Sequence, residues 1–375
     1  MKCTNLKHSK KNTFNPPLAP LAGARFSILQ SLERKYHIEP EFKWKWRKTK
    51  LVSFISTAFA KIDTQISKKS VDNIEIKEDP IFIIGHWRSG TTLLHNMLCL
   101  GDKMAYTTTY QSVFPNNLFF FQFLFKTLMR WLMPSERPAD GVKIDPDYPQ
   151  EEEIGLGNEI EFSFYYWFYF PLETKTFMNK YLIPSDKHSM ERWKSNYLRF
   201  IKKSIKNTGG QRFISKNPPN TLRIQVLLEV FPNAKFIFIH RNPYEVFLSS
   251  KRFFWQTING IKFQTINETL FDANTFSVYA KFMDQYKVDK GRIPEANLLE
   301  IRYKDLLENP LDNYKNVIQQ FHIGQDETPL KVNEYIKKNA HHQVQKYDFS
   351  PDLIDSVNRH WGTYFDDLGY EKLNP

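Results

Sequence analysis

The sequence predicts an α/β fold in three layers, α/β/α, around a central, mainly parallel sheet. Two stretches carry that expectation. Ile81-Phe82-Ile83-Ile84 and Lys235-Phe236-Ile237-Phe238-Ile239-His240 are apolar runs of strand length, and each passes through a short turn into a segment with apolar residues at helical spacing. The third observation is the regular alternation of strand and helix signals through the rest of the chain, the pattern of a sheet whose strands are joined by crossover helices. At 375 residues the chain is long enough to bury one large core. The reading divides it into a mostly helical lead over residues 1–75 and one α/β domain over 76–375.

The first strand runs into Gly85, four residues intervene before Gly90, and Leu93, Leu94, Met97 and Leu98 then mark a helix. Two glycines at that spacing let backbone N–H groups turn inward, and the helix start adds partial positive charge, so the segment reads as an anion cradle. The fold is therefore P-loop-like. The nucleoside-triphosphatase pattern places a lysine directly after the second glycine. Here Thr91 stands there, and the cation lies inside the loop at Arg88, whose guanidinium can fork onto a pair of phosphate or sulfate oxygens.

The second strand ends on His240 and Arg241, where a magnesium-dependent phosphotransferase would need an aspartate. Asn242, Pro243 and Glu245 follow as a cap, a proline at the first helical position and an acid in the first turn. Between these segments, Phe213-Ile214-Ser215-Lys216 reads as a short strand entering the turn Asn217-Pro218-Pro219-Asn220. Asn297-Leu298-Leu299-Glu300-Ile301-Arg302 reads as a further strand, followed by Tyr303-Lys304-Asp305-Leu306 and, later, Pro310. Tyr303 and Asp305 are read as scaffold.

Taken in order, these motifs resemble the sulfotransferases that use 3′-phosphoadenosine 5′-phosphosulfate (PAPS), over roughly residues 80 to 320. Arg88-Ser89-Gly90-Thr91-Thr92 matches the family's [KR]-S-G-T-T loop for the 5′-phosphosulfate. Arg241 and Ser249, eight residues apart, match its 3′-phosphate pair. Lys216 matches the lysine that the family brings toward the transferring sulfuryl group, and the Tyr303-to-Pro310 run matches its Y-x-D-L-x-x-x-P element. The resemblance implies a sulfotransferase acting on a hydroxyl or amine, with PAPS as co-substrate and two basic pockets at opposite ends of the nucleotide. Two positions depart from the cytosolic branch. Pro218 replaces its catalytic histidine, and Leu93 replaces its adenine-stacking tryptophan.

Sulfuryl transfer requires in-line positioning, charge neutralisation on the leaving phosphate and removal of the acceptor's proton. Arg88 and Lys216, with the loop amides and the Thr91 and Thr92 hydroxyls, are assigned the second task. For the proton, Gln150-Glu151-Glu152-Glu153 resembles the Q-E-[DE]-[DE] element of a bacterial and membrane-associated group, which makes Glu151 the first candidate base and Glu152 the second. Acids at a helix start also serve the helix dipole. His86 is a third basic group, expected to face the leaving phosphate. Gln111 stands where relatives often carry a glutamate.

No metal is expected, and adjacent His341 and His342 lack the spacing of paired ligands on one helix face. The net charge of +11 fits an anionic cofactor in part. Lysines crowd the start of the chain, at Lys2, Lys7, Lys10, Lys11, Lys43, Lys45, Lys48 and Lys50, with Trp44 and Trp46 interleaved. That segment reads as a solvated surface helix, with peripheral contact on an anionic bilayer as the alternative. No nucleic-acid recognition module is present. Cys3 and Cys99 imply no disulfide framework, and without a secretory signal or spanning segment the expectation is a cytoplasmic protein, soluble or peripheral.

The aromatic-rich runs 116–133 and 162–170 read as buried helix packing; either would make the acceptor apolar or aromatic if it lined the pocket. A small molecule, a lipid and a carbohydrate all remain open as acceptor. A P-loop phosphotransferase and a non-catalytic nucleotide-binding or membrane-associated module are the alternative functions.

Overall fold

The computed structural model describes residues 16–134, 136, 143–184, 186–324, 328–339 and 347–375. Five strands form one sheet: β1 (Ile81–Ile84), β2 (Met104–Tyr106), β3 (Arg212–Lys216), β4 (Lys235–His240) and β5 (Leu298–Arg302). Their spatial order is β2-β3-β1-β4-β5, and every pairing is parallel. The expected three-layer architecture is present, and the side-chain period of two explains how the sequence encodes it. Phe82, Phe213, Phe236 and Phe238 point to one face of the sheet, while Ile81, Ile83, Ile214, Ile237, Ile239 and Ile301 point to the other.

On the isoleucine face, the apolar residues of α3 (Thr91–Leu98), α13 (Tyr303–Glu308) and α14 (Pro310–Gln320) close a compact core. The phenylalanine face carries the larger one. It is built from α9 (Lys187–Thr208), α10 (Ile224–Val230), α11 (Pro243–Ile261), α12 (Glu268–Asp289) and α16 (Pro351–Leu368). The 162–170 run belongs to this core as expected: Phe164 through Phe170, including the short α7 (Tyr166–Tyr169), are buried. The lead helices α1 (Phe26–Lys35) and α2 (Lys43–Asp72) join the same cluster through Leu29, Leu32 and Trp46. Trp46 sits edge-on to Phe263 with ring centroids 4.9 Å apart.

One expectation fails. The run 116–133 is not buried throughout: in α5 (Gln122–Leu132) only Phe125 and Met129 are enclosed, while Phe120, Phe123, Leu124 and Trp131 face outward. The helix is amphipathic with two apolar sides, so composition alone could not distinguish them. The chain-start lysines up to Lys11, Cys3, and His341 with His342 fall outside the described residues.

Candidate active site

The expected site residues converge at the carboxyl ends of β1, β3 and β4, where parallel sheets place their ligand crevices. After β1 the chain turns through Gly85 at φ +129° and Gly90 at φ +93° before α3 begins. Both turns need glycine for space as well as for angle. A methyl group on Gly85 would stand 2.4 Å from the Ile239 carbonyl oxygen, and one on Gly90 would stand 2.1 Å from the Tyr303 ring. Arg88 adopts φ +68°, a left-handed conformation that a non-glycine residue holds only when its surroundings impose it. Thr221 fixes the loop's entry, its hydroxyl accepting from the Gly85 amide at 2.8 Å.

The two basic positions, Arg88 and Arg241, lie next to one another. Arg88 Nε donates to Ser249 Oγ at 2.9 Å, and Arg241 Nη1 reaches the Arg88 carbonyl at 3.4 Å. Arg241 also pairs with Glu245 at 2.5 Å and lies over the Tyr303 ring at 4.5 Å. Ser249 thus bridges from α11 to the loop. The helix start that holds Arg241 follows the sequence signals: the Asn242 side chain accepts from the Tyr244 amide, Pro243 is the first helical residue and Glu245 lies in the first turn. Tyr303 belongs to the site's wall, packing on both Gly90 and Arg241.

Lys216, the last residue of β3, is almost fully buried and forms an ion pair with Glu151. Glu151 is the residue preceding α6 (Glu152–Glu159), and its other carboxylate oxygen accepts a hydrogen bond from the Tyr165 hydroxyl. That phenol in turn accepts from the indole N–H of Trp87, within the phosphate loop, at 2.9 Å. Burial and the adjacent Glu151 charge push the Tyr165 pKa far up, so its hydroxyl stays a proton donor to Glu151. Tyr165 and Trp87 went unrecognised in the sequence. Their aromatic surroundings suggested packing, and no spacing rule links residues 87, 151, 165 and 216.

The three consecutive acids diverge because successive helical positions point in different directions. Glu152 is wholly enclosed beneath β3, accepting from Tyr197 at 2.8 Å, Asn220 at 3.0 Å and Ser215; burial pushes its pKa up. Glu153 takes both arms of Arg223, at 2.7 and 3.0 Å, with neither side chain exposed. Only Glu151 of the three keeps measurable side-chain exposure, 13%.

His86 does not face the leaving phosphate. It is turned into a cage of Trp87, Phe254, Tyr279 and Phe282, with Nδ1 2.9 Å from the Trp87 carbonyl oxygen. Burial pushes its pKa down to about 3, which keeps the ring neutral. Gln111 is likewise interior, donating to Ser204 Oγ at 2.8 Å.

The arrangement links an arginine-bearing glycine loop, a buried lysine and one partly exposed carboxylate through the Trp87–Tyr165–Glu151–Lys216 chain of contacts. A model of the sulfotransferase family matches residues 80–327 of this chain. The omega-hydroxy-beta-dihydromenaquinone-9 sulfotransferases Stf3 of Mycobacterium bovis and Mycobacterium tuberculosis are each 31% identical over 308 residues, 80% of this chain and 77% of theirs. Among solved structures, sulfotransferase STF9 of Mycobacterium avium superposes with a TM-score of 0.66 at 16% identity, covering 93% of this chain and 91% of that one. STF1 of Mycobacterium tuberculosis gives 0.62 at 14% identity, covering 89% and 90%. These two share the fold. The family match and the Stf3 relatives add the chemistry, and this chain belongs to the sulfotransferase family as an enzyme that transfers sulfuryl groups.

Proposed function

We propose that the enzyme takes its sulfuryl group from PAPS and delivers it to the hydroxyl of an apolar, lipid-like acceptor, with Glu151 as the base. The single observation that carries this reading is the Lys216–Glu151–Tyr165 constellation beside the arginine-bearing loop. The residues suit such a donor. Arg88, Ser89, Gly90, Thr91 and Thr92 would hold its phosphosulfate end, with the dipole of α3 behind them. Arg241 would carry its 3′-phosphate, and Ser249 would position Arg88.

In the reaction a bond forms between the acceptor oxygen and sulfur while the bond from sulfur to the donor's phosphate oxygen breaks. The acceptor's proton goes to the Glu151 carboxylate, which Tyr165 orients through its hydroxyl. The departing phosphate gains negative charge, and Arg88 and Lys216 are fixed cations that offset it without reorganising. Glu152 cannot take the proton from outside, being sealed beneath the strand, which ranks it behind Glu151. The acceptor class is supported by the Stf3 relatives, named for a hydroxylated menaquinone derivative.

The test is transfer from sulfur-35 PAPS to a long-chain prenyl alcohol in detergent, alongside a monosaccharide acceptor. Labelled lipid product, with little transfer to the sugar, is the expected outcome. Preferential labelling of the sugar would overturn the acceptor assignment.

A further inference from the structure

Helix α2 is built inside out. Trp46 and Val71 bury its two ends, but between them the buried face is Thr49, Ser53, Ser56, Ala60, Asp63 and Ser67, while Leu51, Ile55, Ala58, Ile62 and Ile66 face outward at intervals of three or four residues. In an ordinary surface helix the apolar stripe faces the core. Here polar bonds hold the inner face instead: Thr49 Oγ1 accepts from the Ala19 amide, Ser53 Oγ donates to the Ala24 carbonyl at 2.7 Å, and Asp63 accepts from the Phe119 and Phe120 amides. The outward apolar stripe therefore contributes nothing to the fold that would explain it.

Helix α5 lies beside α2. Phe59 packs against Phe121 and Phe125 with centroids 4.6 and 5.8 Å apart, joining the two helices. Phe123 and Trp131 beyond them are 86% and 84% exposed. Two neighbouring helices thus each direct large apolar side chains outward, a feature that marks interaction surfaces.

Charge decides between occupants. Among its 30 residues α2 carries eight Lys and Arg against two acids, and one of those acids, Asp63, is buried beneath the helix. Lys43, Arg47, Lys48, Lys61, Lys68 and Lys69 are exposed around the apolar stripe. Two copies meeting through this face would bring like charges together, whereas an anionic lipid surface satisfies the stripe and its basic border at once. Among the described residues no helix is long and apolar enough to cross a membrane. We propose that α2 and α5 form a monotopic docking face that lays the enzyme on an anionic bilayer. The inference is independent of the base and acceptor assigned above.

The experiment is vesicle flotation of the full chain with phosphatidylcholine alone and with phosphatidylcholine containing phosphatidylglycerol. Binding is expected on the anionic vesicles and should weaken as salt rises. Leu51→Ser/Ile55→Ser/Ile62→Ser, all at exposed positions, should reduce it about tenfold or more. A second variant, Lys61→Gln/Lys68→Gln/Lys69→Gln, should weaken anionic binding and flatten its salt dependence. Circular dichroism and adenosine 3′,5′-bisphosphate binding check that both variants remain folded. The idea is overturned by absent vesicle binding, by equal binding to neutral vesicles, by serine variants that float like wild type, or by a solution dimer that the serine variant dissolves. Neither acceptor nor turnover enters the assay, so its failure is distinguishable from failure of the lipid-acceptor reading.

Discussion

Glu151 and Lys216 meet as an ion pair although one precedes a helix and the other ends a strand 65 residues later. The pair brings a proton acceptor and a cation to one edge of the crevice, and Tyr165 fixes the carboxylate from the opposite side. Replacing Glu151 by Gln keeps the shape and removes the base. We expect kcat to fall by about 10²- to 10⁴-fold with donor affinity nearly unchanged. Single-turnover kinetics with calorimetry checks both halves, and full turnover in the variant would place the base elsewhere.

Tyr165→Phe separates orientation from proton transfer. The variant retains the ring and the apolar packing but leaves Glu151 without its phenol partner and the Trp87 indole without its acceptor. A smaller loss of kcat than for Glu151→Gln is expected, on the order of tenfold, the size of one hydrogen bond to a charged group. The loss should fall on kcat, with KM for donor and acceptor little changed. An unchanged kcat would leave Tyr165 a packing residue.

Arg241→Ala should weaken adenosine 3′,5′-bisphosphate binding by roughly ten- to a hundredfold, the loss of charge-assisted hydrogen bonds. Binding should require no magnesium, because the end of β4 leads into the Arg241 cation where a metal-dependent site would need an acid. Isothermal titration with and without a chelator measures both, and a strict metal requirement would count against the donor assignment.

Breaking the Arg223–Glu153 pair should cost about 3–5 kcal/mol, the usual penalty for stranding one charge of a buried pair. Glu153→Gln leaves the enclosed Arg223 charge without its carboxylate, facing neutral acceptors such as the Leu182 and Tyr181 carbonyls. Urea denaturation reads the loss directly. A near-neutral result would mean that Arg223 finds water or another acceptor.

His86 sets an acid limit on stability. Its pKa falls from the ordinary 6.5 to about 3 in the folded chain, so the unfolded state binds a proton that the folded state refuses. The contribution is fully present above about pH 6.5 and is lost as pH falls through the folded pKa near 3. His86→Phe, which keeps a ring inside the aromatic cage, should flatten that acid limb in thermal melts between pH 6.5 and 4. A parallel decline in both proteins would assign the acid sensitivity to other groups.

The sequence by itself determined four of the five strands and the glycine loop, because these are written in local spacing, whereas the three-residue β2 is too short to carry a pattern. Strands β1 and β4 fall on the runs expected, and Asn242, Pro243 and Glu245 start a helix as capping chemistry requires. The family resemblance was legible for the same reason: Arg88 to Thr92, Lys216 and Arg241 each sit beside their own strand end. Only the tertiary structure decided which way side chains point once the chain returns on itself. It sent three successive glutamates to three destinations, turned His86 into the core, tied Ser249 to Arg88, and drew Tyr165 out of an aromatic block to hold Glu151. It also directed the polar face of α2 inward. Periodicity identifies a helix's two faces, but which face meets protein depends on the surface opposite it, and that surface comes from residues distant in the sequence.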